Sequence, residues 1–441
     1  MQSKSGMWVN EHFEKMKGVF CMSNRKVLYP NVYTDDERRC LEQFVESAKN
    51  VPEYKIENNV FKMKLYAKCW DQWNPLFNDD EYGKTTRYGS AIAIPCYAEP
   101  IGFGMLGKEF GVPVHPDYAY VGDGYDHEFR YYKPIYGNEE LTVSVVDASY
   151  MDITPSEGSE IRGIVLIIET EMKDSAGEVV GAGTLRWPEF RCQYINEADI
   201  PQNNDMMDRF AGEYQHPSYH YTSEDWEIIR SIWEKEKIRG KEVLYWEDVE
   251  IGDEPAWTTE GPVTIMDMVR LHGIGIAGGR HVKDYVCGNR GRFAEIDGVY
   301  YEDNFPHFME HHGLRPKFEN VTGRNFIIRM VTNWCGDDGF VTKVAWRLIN
   351  DLPPEKQKNH FPEEHARPSY LLKVPYLKSA GRYMNTHGLV MDCAIAKGYV
   401  VEKYFNENGH FVELACWAED LKGNIFAEVL VEVKLQSKDD I

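Results

Sequence analysis

The order of structural signals in this chain runs twice. Residues 35–50 (DDERRCLEQFVESAKN) place Leu41, Phe44, Val45 and Ala48 on one helical face behind Asp35, a candidate N-cap. The pattern over 58–69 is ambiguous, and Asn74-Pro75 ends any helix there. Ile92 to Phe103 (IAIPCYAEPIGF) is small and apolar, as a buried central helix would be. Four strand-like runs follow: His127 to Tyr132, Leu141 to Met151, Arg162 to Lys173 and Glu178 to Arg191. Ser175-Ala176-Gly177 joins the last two as a hairpin. After a polar stretch at 196–222 and a helix at 223–239 with Ser223 as N-cap, the order restarts. Tyr245 to Asp253 opens it. Val263 to Ile276 reads as a helix, and Val331 to Leu348 as a helix end and a strand. Leu389 to Tyr404, Val412 to Ala418 and Ile425 to Lys434 are strands, with a hairpin turn over Glu419 to Asn424.

Helix followed by antiparallel strands, twice over, predicts an α+β fold. Its expected form is a double hotdog, two antiparallel curved sheets each wrapped around a central helix. Such sheets have open edges that want a partner, and two copies in one chain can supply each other's. The boundaries follow: an N-terminal domain over 1–200 with a helical extension in front, a helix-bearing linker over 201–242, and a C-terminal domain over 243–441. A length of 441 residues suits two or three domains.

The net charge of −22 argues against nucleic acid or an anionic membrane as partner, because both need clustered Lys and Arg. Nine scattered cysteines without a C-x-x-C pair suggest reduced thiols and no cysteine-built zinc site. Met1 to Val19 carries charges throughout, unlike a signal peptide, and no stretch approaches the ~18 apolar residues of a membrane span. A cytoplasmic protein is expected. Gly102-Phe103-Gly104 lacks the strand–turn–helix setting of a nucleotide loop, and Gly336-Asp337-Asp338-Gly339 reads as a turn, so no metal is expected.

The segment YAKCWDQWNPLFNDDEYGKTTRYG, from Tyr66 to Gly89, resembles the hydratase motif of the MaoC-like acyl-CoA hydratase/dehydratase family. Asn74, Pro75, Leu76, Asp79 and Tyr82 match that motif. Aligned on Asn74-Pro75, Gln72 stands at the family's Asp position and Phe77 at its His position, with Asp71 one residue out of register. Lys133-Pro134-Ile135-Tyr136-Gly137 with Leu141, and Tyr245 to Val263, are similar to further family segments, the latter opening a second such domain. Arg270 to Gly279 and Thr332 to Gly339 resemble a tandem branch of the family. In order, these motifs span most of the chain beyond the first ~60 residues.

The resemblance implies reversible addition of water to an enoyl-CoA thioester, or dehydration of a 3-hydroxyacyl-CoA. An Asp/His pair would act on one water, and a backbone N–H at a helix N-terminus would hold the thioester oxygen. The expected ligand is an acyl-CoA with no separate cofactor, and a homodimer is possible. Asp71, Gln72, Asn74 and Phe77 are the expected substrate-binding residues of the first half. The second half supplies the catalytic candidates. His272 lies in the 263–276 helix, where it also fits a satisfied core histidine. His281 follows Gly278-Gly279 near the family's His position, with Ile276 at the partner Asp position, and it also fits a loop histidine. Asp303 and His307 form a near-miss of the motif at i, i+4 spacing, although Pro306 disfavours a helix there and a surface turn is the competing reading. A non-catalytic acyl-CoA-binding protein and a hotdog thioesterase are the alternatives.

Overall fold

In the computed structural model, the described residues are 35–98, 119–120, 126–152, 161–192, 220–264, 293–296, 299–302, 320–346, 393–423 and 425–440. Helices α1 (Asp35–Lys49), α2 (Val60–Trp70) and the single turns α3 (Pro75–Asn78) and α4 (Asp80–Gly83) belong to the first half. Helix α5 (Ser223–Lys235) lies in the linker and α6 (Asn320–Cys335) in the second half. The first-half strands are β1 (Tyr54–Glu57), β2 (Ala119–Tyr120), β3 (Asp126–Tyr131), β4 (Glu140–Asp152), β5 (Ile161–Lys173) and β6 (Val179–Cys192). The rest are β7 (Thr258–Glu260), β8 (Phe293–Ile296), β9 (Val299–Glu302), β10 (Phe340–Trp346), β11 (Ala394–Asn406), β12 (Gly409–Glu419) and β13 (Ile425–Leu435).

The two expected sheets are one. An 11-stranded sheet runs β1-β4-β5-β6-β3-β10-β13-β12-β11-β7, with β2 on the far end of β6 and the ladders between these strands antiparallel. The order reads alike from both ends. Each half is a meander of three long strands whose last strand pairs back onto a shorter one, with a short strand on the outer edge. The halves join where β3 pairs with β10, Phe129 opposite Val344 and His127 opposite Trp346. Pairing at this seam satisfies two strand edges that separate sheets would leave open. The duplication of architecture is therefore present, with a shared ladder in place of two separate sheets.

Alternation of apolar and polar residues makes the long strands, and their inward residues form one core through both halves. It includes Leu141, Ile168 and Leu185 from the first half and Val344, Leu414 and Val431 from the second. Helix α6 packs on β7, β11, β12 and β13, as a central hotdog helix would. From Asn325 to Val331 it is buried all round, with Phe326, Ile327, Ile328, Met330 and Val331 each at most 2% exposed.

Several local expectations shift. Helix α5 is capped by Thr222, not Ser223: its Oγ1 accepts from the Asp225 amide, and the Asp225 carboxylate accepts from the Thr222 amide, a closed capping box. Asp35 is the first residue of α1 rather than its cap. The ambiguous 58–69 stretch is helix α2, capped by Asn59. The helix expected from Ile92 does not begin there. Ile92 forms a bridge with Tyr136, residues 95–97 turn, and Cys96 takes φ 74°. The 265–276 part of the expected second-half helix lies outside the described residues. Among the described residues, no helix is long and apolar enough to cross a membrane.

Candidate functional site

The conspicuous local structure is the knuckle between α2 and α4. Helix α2 stops at Trp70 because Asp71 leaves helical geometry, at φ −147° and ψ 73°. The Asp71 amide still donates to Ala67 O at 2.7 Å. Its Oδ1 then accepts from the Asn74 amide at 3.2 Å. Asn74 caps α3 by accepting from the Leu76 amide, and Pro75 sits in the first turn where its missing N–H costs nothing. Asn78 Nδ2 closes the knuckle on the carbonyls of Asp71 and Asn74.

This knuckle sets its two neighbouring polar residues apart by burial. Asp71 points inward and is fully buried, whereas Gln72 is exposed. Asp71 is the carboxylate that the knuckle buries, and Gln72, also expected as a substrate-binding residue, is exposed. The extra residue, Trp73, turns outward at 60% exposure. Asn74 is buried and acts as a cap. Phe77 is buried in a narrow apolar cleft between the halves, with Ile94, Tyr131 and Ile135 on one side and Cys335 and Val341 on the other. The cavity there is about 40 Å³, room for one or two waters.

Burial pushes the Asp71 carboxyl up to about 6, against the opposing pull of Arg329 and the Asn74 amide. Its Oδ2 has no hydrogen-bond partner among the described residues. Glu236 also raises it.

Arg329 comes from α6 across the seam and is 1% exposed. Its Nη1 donates to Glu260 at 2.7 Å, its Nη2 to the Thr259 carbonyl at 2.9 Å, and its Nε lies 3.4 Å from Glu236. The guanidinium also sits 5.8 Å from the Trp73 ring centroid. One helical turn to either side, Asn325 donates to the Tyr66 hydroxyl and Asn333 to Glu236. Asn325, Arg329 and Asn333 thus form an i, i+4, i+8 polar stripe facing α2 and the end of α5, while Phe326, Ile327, Ile328, Met330 and Val331 pack in the core. Trp70 and Phe326 complete the contact edge to face at 5.8 Å. The sequence reading missed this stripe. Its signal was present: three polar residues at helical spacing inside an otherwise apolar run, each needing a buried partner.

Beside the site, Cys96 holds a left-handed backbone that costs a non-glycine residue about 1–2 kcal/mol. Two tyrosines hold it. The Tyr131 hydroxyl accepts from its amide, and the Tyr66 hydroxyl donates to its carbonyl. The catalytic candidates His272, His281, Asp303 and His307 lie outside the described residues. Asp337, in the turn that follows α6, accepts from the Tyr82 hydroxyl at 2.7 Å and ties the two halves together. Among the described residues, no group of His, Cys, Asp and Glu could hold a metal ion.

No protein-family model matches the chain. A UPF0336 protein of Streptomyces avermitilis is 29% identical over 120 residues, 27% of this chain and 75% of that protein. Among solved structures, a MaoC-like dehydratase is similar at 17% identity, covering 88% of this chain and 99% of its own, with a TM-score of 0.49. Rv0216 of Mycobacterium tuberculosis, described as having a double hotdog fold, is similar at 8% identity over 88% of this chain and 97% of its own, with a TM-score of 0.46.

Proposed function

We propose that this protein adds water reversibly to an enoyl-CoA thioester, with Asp71 as one of its two acid–base groups. The observation that carries the reading is the Asp71 carboxyl. It is fully buried at the family-like Asn74-Pro75 knuckle, with Oδ2 unpartnered among the described residues and a proton affinity raised to about 6. A group poised near neutrality can take and return a proton at the operating pH. At pH 7 it is mostly ionised and acts as base. The oxygen of water bonds to Cβ of the enoyl thioester as its proton passes to the base, and a second proton reaches Cα from the paired acid. His272, His281 and His307 are the proposed sources of that acid, with Asp303 the proposed partner of His307.

The test is turnover of a panel of enoyl-CoA esters, followed by loss of enoyl thioester absorbance, in Asp71→Asn, His272→Ala, His281→Ala and His307→Ala. Loss of activity by roughly 100-fold or more in Asp71→Asn and in one histidine variant is expected. Full activity in all four overturns it. Release of free thiol would point instead to a thioesterase.

A second reading rests on Phe77. A buried phenyl ring stands where the family carries its imidazole, which favours a protein that binds acyl-CoA without turning it over. Calorimetric binding of CoA esters with no turnover across the panel selects that reading.

A further inference from the structure

Pro75 leaves a gap at the knuckle that a side chain fills. In a continuing helix the Asp71 carbonyl would accept from the amide four residues on, and a proline has no amide hydrogen to give. The Asn78 side chain supplies the donor instead. Its Nδ2 donates to the Asp71 carbonyl at 2.7 Å and to the Asn74 carbonyl at 2.9 Å. Both partners are carbonyl oxygens, which only accept, so the nitrogen of the Asn78 amide must face them. Asn78 Oδ1 is buried with no hydrogen-bond partner among the described residues, so this side chain is engaged through its donors. Asp71 is thereby fixed at three points. Its amide donates to the Ala67 carbonyl at 2.7 Å, its own carbonyl accepts from Asn78, and its Oδ1 accepts from the Asn74 amide at 3.2 Å. The two residues under the Asn78 bridge, Gln72 and Trp73, are exposed, so packing restrains this part of the knuckle least. These bonds leave Oδ2, which has no hydrogen-bond partner among the described residues.

We propose that Asn78 is a positioning residue for Asp71: by holding the Asp71 and Asn74 carbonyls together, it fixes the direction in which Asp71 presents Oδ2. This rests on the reading of Asp71 as an acid–base group of the site. Asn78 acts through the backbone. Without its bridge the peptides between Asp71 and Asn74 can turn, and the Asn74 amide no longer holds Oδ1 in one place. The carboxylate then rotates, and Oδ2 leaves the line along which it meets the reacting water. A displacement of about 1 Å in such a group costs on the order of 100-fold in rate. Binding of the thioester does not depend on that direction, so the loss falls on kcat and not on KM. A merely structural Asn78 would lower the unfolding midpoint and leave the folded protein as fast as before.

The test compares Asn78→Asp, Asn78→Ala and Asn78→Ser in the full-length protein. Asn78→Asp keeps the shape and loses both donors, and Asn78→Ser keeps one donor on a shorter side chain. Well below each unfolding midpoint, kcat on enoyl-CoA esters is expected to fall roughly 10- to 100-fold in Asn78→Asp and Asn78→Ala and less in Asn78→Ser, with KM within about twofold of its original value. A second readout does not depend on turnover: the side-chain carboxyl carbon-13 signal of Asp71, identified by its absence in Asp71→Asn. It is expected to shift in Asn78→Ala and to return part of the way in Asn78→Ser. Unchanged kcat in the folded variants overturns the proposal, as does a loss of activity that follows the unfolding midpoint and vanishes on cooling. Should Asn78→Asp and Asn78→Ala fail to fold, Asn78→Ser, a small change at a half-buried position, decides through the same two readouts. If the protein hydrates no enoyl-CoA, the hydratase reading falls and the Asp71 signal decides alone. A shifted carboxyl then leaves Asn78 as the residue that orients Asp71, and an unshifted one sinks that assignment too.

Discussion

Asn325 and Tyr66 lie 259 positions apart and share one hydrogen bond, Nδ2 of Asn325 donating to the Tyr66 hydroxyl at 3.1 Å. The same hydroxyl donates to the Cys96 carbonyl at 3.3 Å, so a single oxygen ties the second-half helix to the left-handed turn of the first half. Tyr66→Phe leaves a buried amide and a carbonyl short of a partner. It is expected to lower stability by about 1–3 kcal/mol in denaturant unfolding. Adding Asn325→Leu should cost less than the sum of the two single changes, because both remove the same bond.

Asp71 makes a prediction of opposite sign. Its carboxyl is raised from the ordinary aspartate value of 3.8 to about 6 in the folded protein. The folded state therefore binds the proton more tightly than the unfolded chain does, and the ionised carboxylate weakens the fold as pH rises through that window. Asp71→Asn keeps an oxygen for the Asn74 amide and removes the charge. It is expected to raise Tm at pH 7.5, with the gain disappearing by about pH 4, while activity falls. An unchanged or lower Tm at pH 7.5 counts against a buried, costly carboxylate.

Gly336 has φ +72°, and an added Cβ would lie 2.9 Å from the Gly240 carbonyl oxygen. Both the backbone and the space reject a side chain, at the turn whose next amide donates to that same carbonyl at 2.8 Å. Gly336→Ala is expected to destabilise by roughly 1–3 kcal/mol. Because this turn meets Tyr82 through Asp337, the loss should appear as weaker protection of both segments in hydrogen exchange.

Lys343 on β10 lies 2.8 Å from Glu413 and 3.3 Å from Glu432, all three nearly buried. Lys343→Met strands two acids and is expected to cost about 3–5 kcal/mol in equilibrium unfolding. Burial works to raise Glu432, but hydrogen bonds from Thr342 and Tyr404 and the charge of Lys343 outweigh it and hold the carboxyl below its usual value. That contribution is complete above the ordinary glutamate value and fades as pH falls towards the folded one. Glu432→Gln should flatten the loss of stability as pH falls below about 4.5.

Much of the sheet was legible because alternation is local. The runs read at 141–151 and 162–173 are the strands Glu140–Asp152 and Ile161–Lys173 within a residue or so. Helix α6 was read only at its end, because Asn325, Arg329 and Asn333 interrupt the apolar stripe by which a buried helix is recognised. Their partners are supplied by Tyr66, Glu236 and Glu260 and are invisible to any short window. The β3–β10 pairing likewise joins Arg130 to Lys343 with no signal in either strand. Counting back from Asn74-Pro75 puts Gln72 at the Asp position, whereas its neighbour Asp71 is the one that is buried and accepts from the Asn74 amide. A count along the chain cannot see which of two neighbours turns inward.

The shared ladder between β3 and β10 has a thermodynamic corollary. Two such half-sheets on separate chains would meet at a rate and to an extent set by their concentration. Tethered by the linker, the same strands meet at an effective concentration fixed by the chain itself. The Asn325–Tyr66 hydrogen bond, built from both sides of that seam, is thereby independent of dilution. Assay at nanomolar protein should show the same specific activity as assay at micromolar.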